Sequence, residues 1–203
     1  MSVLNQTGEM KRIVDWVSAA YEEIQNLHAT WRFLRTGFTF STIYNTQDYT
    51  PAAVSLTDLA TWAKGDEVMR IYSSVSDETY LVYCPWNDFR ATYIFGTNRT
   101  ALARPTIYSI RPNNSFSLWA LPDAVYTVPG EYYKTAQAMT VDGSSPVFPS
   151  RYHIAIVWKA LMYYGAYAAA DEKYAHGKNQ FNAMKSQMEL SELEDMDFGE
   201  PLA

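Results

Sequence analysis

Cysteine is nearly missing: Cys84 stands alone among 203 residues, so no disulfide can form within the chain. It sits in VYCPW with no histidine beside it, the setting of a small buried residue. A nucleophilic thiol needs neighbours that depress its pKa. Long apolar runs are missing too. The longest, HIAIVWKALMYYGAYAAA from His153, is interrupted by Lys159 and falls short of the roughly 20 residues of a membrane span. The first residues, MSVLNQTGEMKR, reach charge before any apolar signal core, which leads us to expect folding in a reducing cytoplasm with no membrane contact. In that compartment the sequons Asn98-Arg99-Thr100 and Asn113-Asn114-Ser115 are accidental.

Short catalytic signatures are absent as well. There is no G-x-S-x-G, no G-x-G-x-x-G and no G-x-x-x-x-G-K, which removes the commonest hydrolase and nucleotide-binding motifs. The three histidines, His28, His153 and His176, have no Cys, Asp or Glu at metal-ligand spacing, so no metal and no cofactor are expected. Lys and Arg form no run and no basic helix face, which argues against nucleic-acid binding. Adjacent acids remain, at Glu22-Glu23, Asp66-Glu67, Asp77-Glu78 and Asp171-Glu172. Carboxylates can do acid–base work without a motif, but pairs of this kind more often mark a wet surface.

What the chain does have is aromatic bulk and a lopsided charge. Aromatic residues make up 15% of it, with 16 Tyr and 6 Trp, typical of chains that bury amphipathic rings in cores and interfaces. Six of its 22 acids lie in Glu189–Ala203, a segment with no Lys or Arg, so the rest of the chain balances its 16 bases and the C-terminus carries the whole net charge of -6. Such an end reads as a solvated arm, punctuated by Met196, Phe198 and Leu202, the kind of apolar residue that docks when an arm folds on binding.

Periodicity divides the chain. Ile13, Val17, Ala20, Ile24, Leu27, Trp31 and Leu34 recur at spacings of three and four, predicting a helix from Gly8 to Arg35 with Thr7 as N-cap. From Gly37 the period becomes two. SLTDLATWAKG predicts a short helix near 56–64, VMRIYSSV and TYLVYCP predict strands, and WNDFRATYIFG predicts a helical turn with Trp86, Phe89 and Tyr93 on one face. Ile107–Ile110, Ser115–Leu121 and Val125–Tyr133 then read as a three-stranded meander joined through Pro112-Asn113-Asn114 and Pro122-Asp123. After DGSSPVFPS, a stripe through Ile154, Val157, Leu161, Tyr164 and Ala168 predicts a helix capped by Ser150, with a break near Asp171–Lys173 before a further helix.

The fold class expected is therefore α+β. A bundle of N- and C-terminal helices, 1–36 with 148–190, pairs its stripes, an antiparallel β-rich insertion occupies 37–147, and 191–203 is an acidic flexible arm.

The order of these elements resembles the head-to-tail adaptor (connector) proteins of short-tailed and related phages. The likeness is carried by IVDWVSAAYEEIQNLHATWRFLR with FTFST, then ARPTIYSI, SFSLWALPDAVYTVPGEYYKTA and SPVFPSRYHIAIVWKALMYYGAYAAADE, covering about residues 10–190. At Ala103-Arg104-Pro105 the chain departs from the Gly-Arg-Pro usual in that family. The resemblance implies a structural virion protein without catalysis, made in the host cytoplasm and placed at the neck. There a ring of roughly twelve copies would sit between the portal protein and the tail nozzle or tube, with double-stranded DNA passing through the lumen unbound. It also implies a terminal arm reaching the portal, which on this sequence selects Glu192, Glu194, Asp195, Met196, Phe198 and Leu202. Trp119, on the opposite side of its strand from Phe116 and Leu118, is the further interface candidate, with burial in the subunit's own core as the alternative that such a residue more often takes. The rivals are a carboxylate-based phage glycoside hydrolase, which needs a cleft with two facing acids, and an aromatic-face binding module, which needs a concave pocket.

Overall fold

The computed structural model describes residues 6–139 and 143–193. In chain order the elements are helix α1 (Gly8–Asn26), strands β1 (Arg35–Ser41), β2 (Asp48–Tyr49), β3 (Leu59–Trp62), β4 (Arg70–Ile71), β5 (Thr79–Tyr80) and β6 (Val82–Tyr83), and helix α2 (Trp86–Tyr93). Strands β7 (Ile107–Ile110), β8 (Phe116–Trp119) and β9 (Thr127–Lys134) follow, then helices α3 (Ile154–Tyr167) and α4 (Asp171–Glu192). The class is α+β, with helices at both ends and a β-rich middle. Two compact units result: Met1–Leu34 with Ala136–Ala203, and Arg35–Thr135.

In the helical unit the apolar stripe of α1 buries Ala20, Tyr21 and Ile24, but the helix stops at Asn26, well before the expected Arg35. The Trp31 indole N–H donates to the Ile24 carbonyl at 3.2 Å, satisfying a backbone acceptor that a longer helix would have used. Trp31, fully buried, then stacks on Phe33 at 5.3 Å, so the last residues of the stripe reach the core through a reversal of the chain. Gln25 is buried yet fully engaged: its amide donates to the Tyr21 and Gln137 carbonyls, and its oxygen accepts from the Gln137 N–H. Neither α1 nor α3 has a side-chain oxygen accepting a backbone N–H at its N-cap. Thr7 holds the N-cap position of α1 without a capping hydrogen bond, and Ser150 opens a 3-10 turn, Ser150–Tyr152, ahead of α3.

α3 is apolar almost all round, so periodicity could not tell which side it buries. The structure buries Ala155, Ile156 and Gly165, while the expected stripe stays partly open, with Ile154 42% and Val157 53% exposed. The expected break falls just before Asp171, where Ala169 adopts φ 50. α3 and α4 then cross closely at Gly165 and Gly177. A Cβ on Gly165 would lie 2.7 Å from the Tyr174 backbone nitrogen.

The β-rich unit holds a three-stranded antiparallel sheet, β1-β9-β3, a four-stranded sheet, β2-β8-β7-β6, and the pair β4-β5. β6 and β7 run parallel; every other pair is antiparallel. The β1 alternation is as expected: Phe38, Phe40 and Thr42 point in, Thr39 and Ser41 out. Phe38 faces Gly130 across the ladder, and Met69 and Phe38 fill the place where a Cβ would stand. The core gathers Phe40, Trp62, Tyr108, Phe116, Leu118 and Val128.

Two local expectations fail here. Residues 59–62 are strand, not helix: β3 pairs with β9 through a bulge between Leu59 and Thr61, and Trp62 is buried with its N–H on the Asn114 carbonyl at 2.9 Å. Tertiary pairing overrode a spacing that suited either period. The meander is also redrawn. β7 and β8 form the expected hairpin through Pro112-Asn113-Asn114, with Asn114 at φ 62, but β9 pairs with β1 and β3 instead of β8. Pro122 and Asp123 carry the chain from one sheet to the other; the Pro122 carbonyl accepts from Asn45 and the Asp123 carboxylate from the Tyr126 hydroxyl.

Arg104, the residue after the family departure at Ala103, ties down the turn between β4 and β5. Its guanidinium donates to the Ile71 and Asp77 carbonyls at 2.7 and 2.6 Å and to the Asp77 carboxylate at 3.1 Å. Asp77 also accepts the Ser73 hydroxyl and the Ser73 and Ser74 amides. The Ser73 hydroxyl leads these contacts in drawing its pKa from 3.8 to about 2. A depressed carboxyl stabilises the fold above its ordinary pKa and loses that contribution as pH falls through the folded value. Ser73 and Ser74 amide shifts should therefore titrate near pH 2 instead of 3.8. Asp77→Asn should abolish that titration; a midpoint at the ordinary value would show that the turn does not hold the carboxylate.

Candidate functional site

Trp119 ends β8 on the side opposite Phe116 and Leu118, which are both fully buried. It is half-buried. Its indole N–H donates to the Asn98 carbonyl at 3.0 Å, and its ring lies 4.4 Å from that of Tyr93 at the end of α2. α2 supplies this seat by aligning Trp86, Phe89 and Tyr93 in successive ring contacts, as its spacing predicts. Trp119 is thus held by its own unit and stays partly exposed.

At the end of α4 the structure changes the picture of the arm. Glu189 and Glu192 are helical. Glu192 is buried and pairs with Arg151 at 3.0 Å, beside a Tyr152–Ser191 hydroxyl contact of 2.6 Å. Glu189 accepts from His28 at 2.7 Å and from Lys185 at 3.3 Å. Burial opposes ionisation there, but these donors outweigh it and hold the carboxyl below its usual range. Glu192 is therefore the anchor from which the arm departs. Glu194, Asp195, Met196, Phe198 and Leu202 lie outside the described residues.

A surface the spacing did not single out lies along α1 and α3. Ile13, Trp16 and Val17 face Val157, Leu161 and Tyr164 across an apolar groove of about 300 Å³. Trp16 meets Tyr164 and Tyr167 at 6.2 and 5.5 Å between ring centres. Arg12 lies over the Tyr167 ring at 4.4 Å and Lys173 over Tyr164 at 4.9 Å. Below the groove, Lys159 meets Glu23 at 2.5 Å and the Tyr163 hydroxyl donates to the same carboxylate. Desolvation by burial, then the Glu23 contact, pushes the Tyr163 pKa up. Both stripes carry the signal, but two apolar stripes in one chain predict faces that cover each other.

Several of the features that could carry chemistry have structural partners. His153 contacts the Phe148 carbonyl at 3.0 Å and His176 sits edge-on to Trp158. Among the described residues no cluster of three His, Cys, Asp or Glu could hold a metal. Burial, with Asp88 adding, pushes the Cys84 thiol up, away from a reactive thiolate. Of the acid pairs, Glu23 is engaged by Lys159, Asp66 accepts the Tyr83 amide, Asp77 is held by Arg104 and Glu78 pairs with Arg70. An open cleft of about 790 Å³ in the β-rich unit contains Glu67, Glu78 and Glu131, and Glu131 is bound to Arg35 at 2.5 Å. Glu78 faces Arg70 at 3.4 Å, and Glu67 is the third acid of the cleft. The β-face aromatics pack on one another: Phe116 stacks on Tyr108 at 5.2 Å and is fully buried. No described helix is long and apolar enough to cross a membrane.

The family model for the SU10 adaptor protein matches residues 4–201. The chain belongs to the SU10 adaptor family. This is a phage head-to-tail adaptor family, so the chain is a structural component of the virion, working through contacts with other connector and tail proteins. No curated protein matches it. In this SU10 adaptor, the described surfaces that its own fold leaves open include part of Trp119 and the α1/α3 groove.

Proposed function

We propose that this SU10 adaptor is one subunit of a closed ring of roughly twelve copies at the virion neck, joined to the portal protein on one side and the tail nozzle or tube on the other. The observation that carries this reading is α3. An all-apolar helix left open along one side calls for cover from outside its own fold, and open apolar surface of this kind marks interaction sites on soluble proteins. The charge pattern fits passage of double-stranded DNA without capture. Arg35, Arg70, Arg104, Arg111, Lys134, Arg151, Lys159 and Lys185 are engaged in ion pairs, and the other Lys and Arg form no run along the chain that would track a phosphate backbone. Synthesis in the host cytoplasm accords with the lone Cys84.

The arm, from Glu194 onward, is the portal-facing element in this reading, and Trp119 contacts a neighbour. Electron microscopy of virions carrying a labelled subunit should place density at the head–tail junction; label confined to other sites would reject the assignment. Capture on immobilised portal rings tests the parts. Removing 194–203 keeps the α4 anchor and should weaken capture. Trp119→Ala should keep the fold and lower ring formation about thirtyfold, the effect of a hot spot of about 2 kcal/mol. Undiminished assembly by Trp119→Ala removes that residue from the interface.

A further inference from the structure

We propose that in the free subunit the arm of residues 194–203 folds back over the α1/α3 groove of its own chain, covering that face until assembly draws the arm away. The inference rests on reading the chain as an assembly subunit, and it concerns the state before assembly. Four observations converge on this occupant.

The first is where the arm starts. Glu192 pairs with Arg151 and Ser191 with Tyr152, so α4 delivers the chain to a point three residues before Ile154, the first open apolar residue of α3. The second is reach. The open face follows α3, whose 14 residues span about 21 Å at ~1.5 Å each, while ten further residues of chain extend to about 33 Å. The third is composition. The groove is lined by apolar side chains, and the arm offers Met196, Phe198 and Leu202 in sequence along it. The fourth is charge. Arg12 and Lys173 stand over Tyr167 and Tyr164 at the far end of the face, with no carboxylate at ion-pair distance among the described residues, while Arg151 at the near end is already paired with Glu192. The arm carries Glu194, Asp195, Asp197 and Glu200, while Glu9 in the first turn of α1 and Asp171 and Glu172 in the first turn of α4 are acids close in sequence to Arg12 and Lys173. An apolar groove with two cations free of ion pairs at its far end, beside the root of an acidic, apolar-punctuated arm, is a self-complementary pair. Covering it keeps free subunits from meeting through α3 before a portal is present.

Disulfide trapping in the isolated full chain tests this, with Cys84→Ser as background. Phe198→Cys is paired with Val157→Cys, in the groove, or with Ser186→Cys, exposed on α4 at a similar distance of about 10 Å from Leu193 along its helix. Under oxidised glutathione, with the fold checked by circular dichroism, the Val157 pair should close within the monomer at least ~tenfold faster than the Ser186 pair. Arg12→Glu with Lys173→Glu should remove that preference. Equal rates, or a preference for Ser186, overturn the proposal. Disulfide-linked dimers in place of closed monomers also overturn it, assigning the groove to a second copy. No portal is present, so failure here leaves portal capture by the arm standing.

Discussion

Phe116→Ala is expected to be the most damaging single truncation in the β-rich unit, lowering stability by about 4 kcal/mol in urea denaturation. Phe116 is fully buried, stacks on Tyr108, meets Phe40 edge-on at 5.7 Å and lies 5.4 Å from Trp62. These rings come from β1, β3, β7 and β8, so one side chain bridges two sheets. Removing it leaves a cavity that rigid neighbouring rings cannot collapse to fill, and an alanine there also gives up the ring pairing. A loss of that size is a large part of the 5–15 kcal/mol that holds a typical domain. Trp119→Ala, three residues along the same strand, should cost about half as much, because that ring is only partly buried. Equal costs at the two positions would mean that Trp119 is core and unavailable to a neighbour.

Gly165→Ala should destabilise the helical unit by about 2 kcal/mol, although alanine is the better helix former by ~1 kcal/mol. The added Cβ would stand 2.7 Å from the nitrogen and 2.9 Å from the Cα of Tyr174, and backbone cannot turn aside as a flexible side chain can. α3 and α4 would have to separate, loosening the contacts that aim the end of α4 at Arg151. Gly177→Ala, whose Cβ would meet the Trp158 carbonyl at 3.0 Å, should cost less. Ala166→Gly, at the exposed neighbouring position, should also destabilise, by about the propensity difference alone. If Gly165→Ala instead stabilises, the close crossing is absent in solution.

The sequence was most legible where one local pattern had one outcome. Phe38, Phe40 and Thr42 alternate because a two-residue period has a single buried face, and Trp86, Phe89 and Tyr93 align because a short helix has a single stripe. It was least legible at Leu59–Trp62, where spacing suited helix or strand and pairing with β9 decided. The α1/α3 face was visible as two stripes, but α3 is apolar on every side. Only the position of α4 against Gly165 and Gly177 shows which third is left open.

Composition and order by themselves determined the α+β class, the absence of disulfides, the charge imbalance and the family likeness, since each depends on residue type and local period alone. Tertiary structure decided that β9 leaves β8 for β1 and β3, that α1 ends where Trp31 takes the Ile24 carbonyl, and that Glu192 is a buried anchor and not part of a free arm. Each of these turns on a partner distant in sequence, and the choice among distant partners is made by packing, which no local window contains.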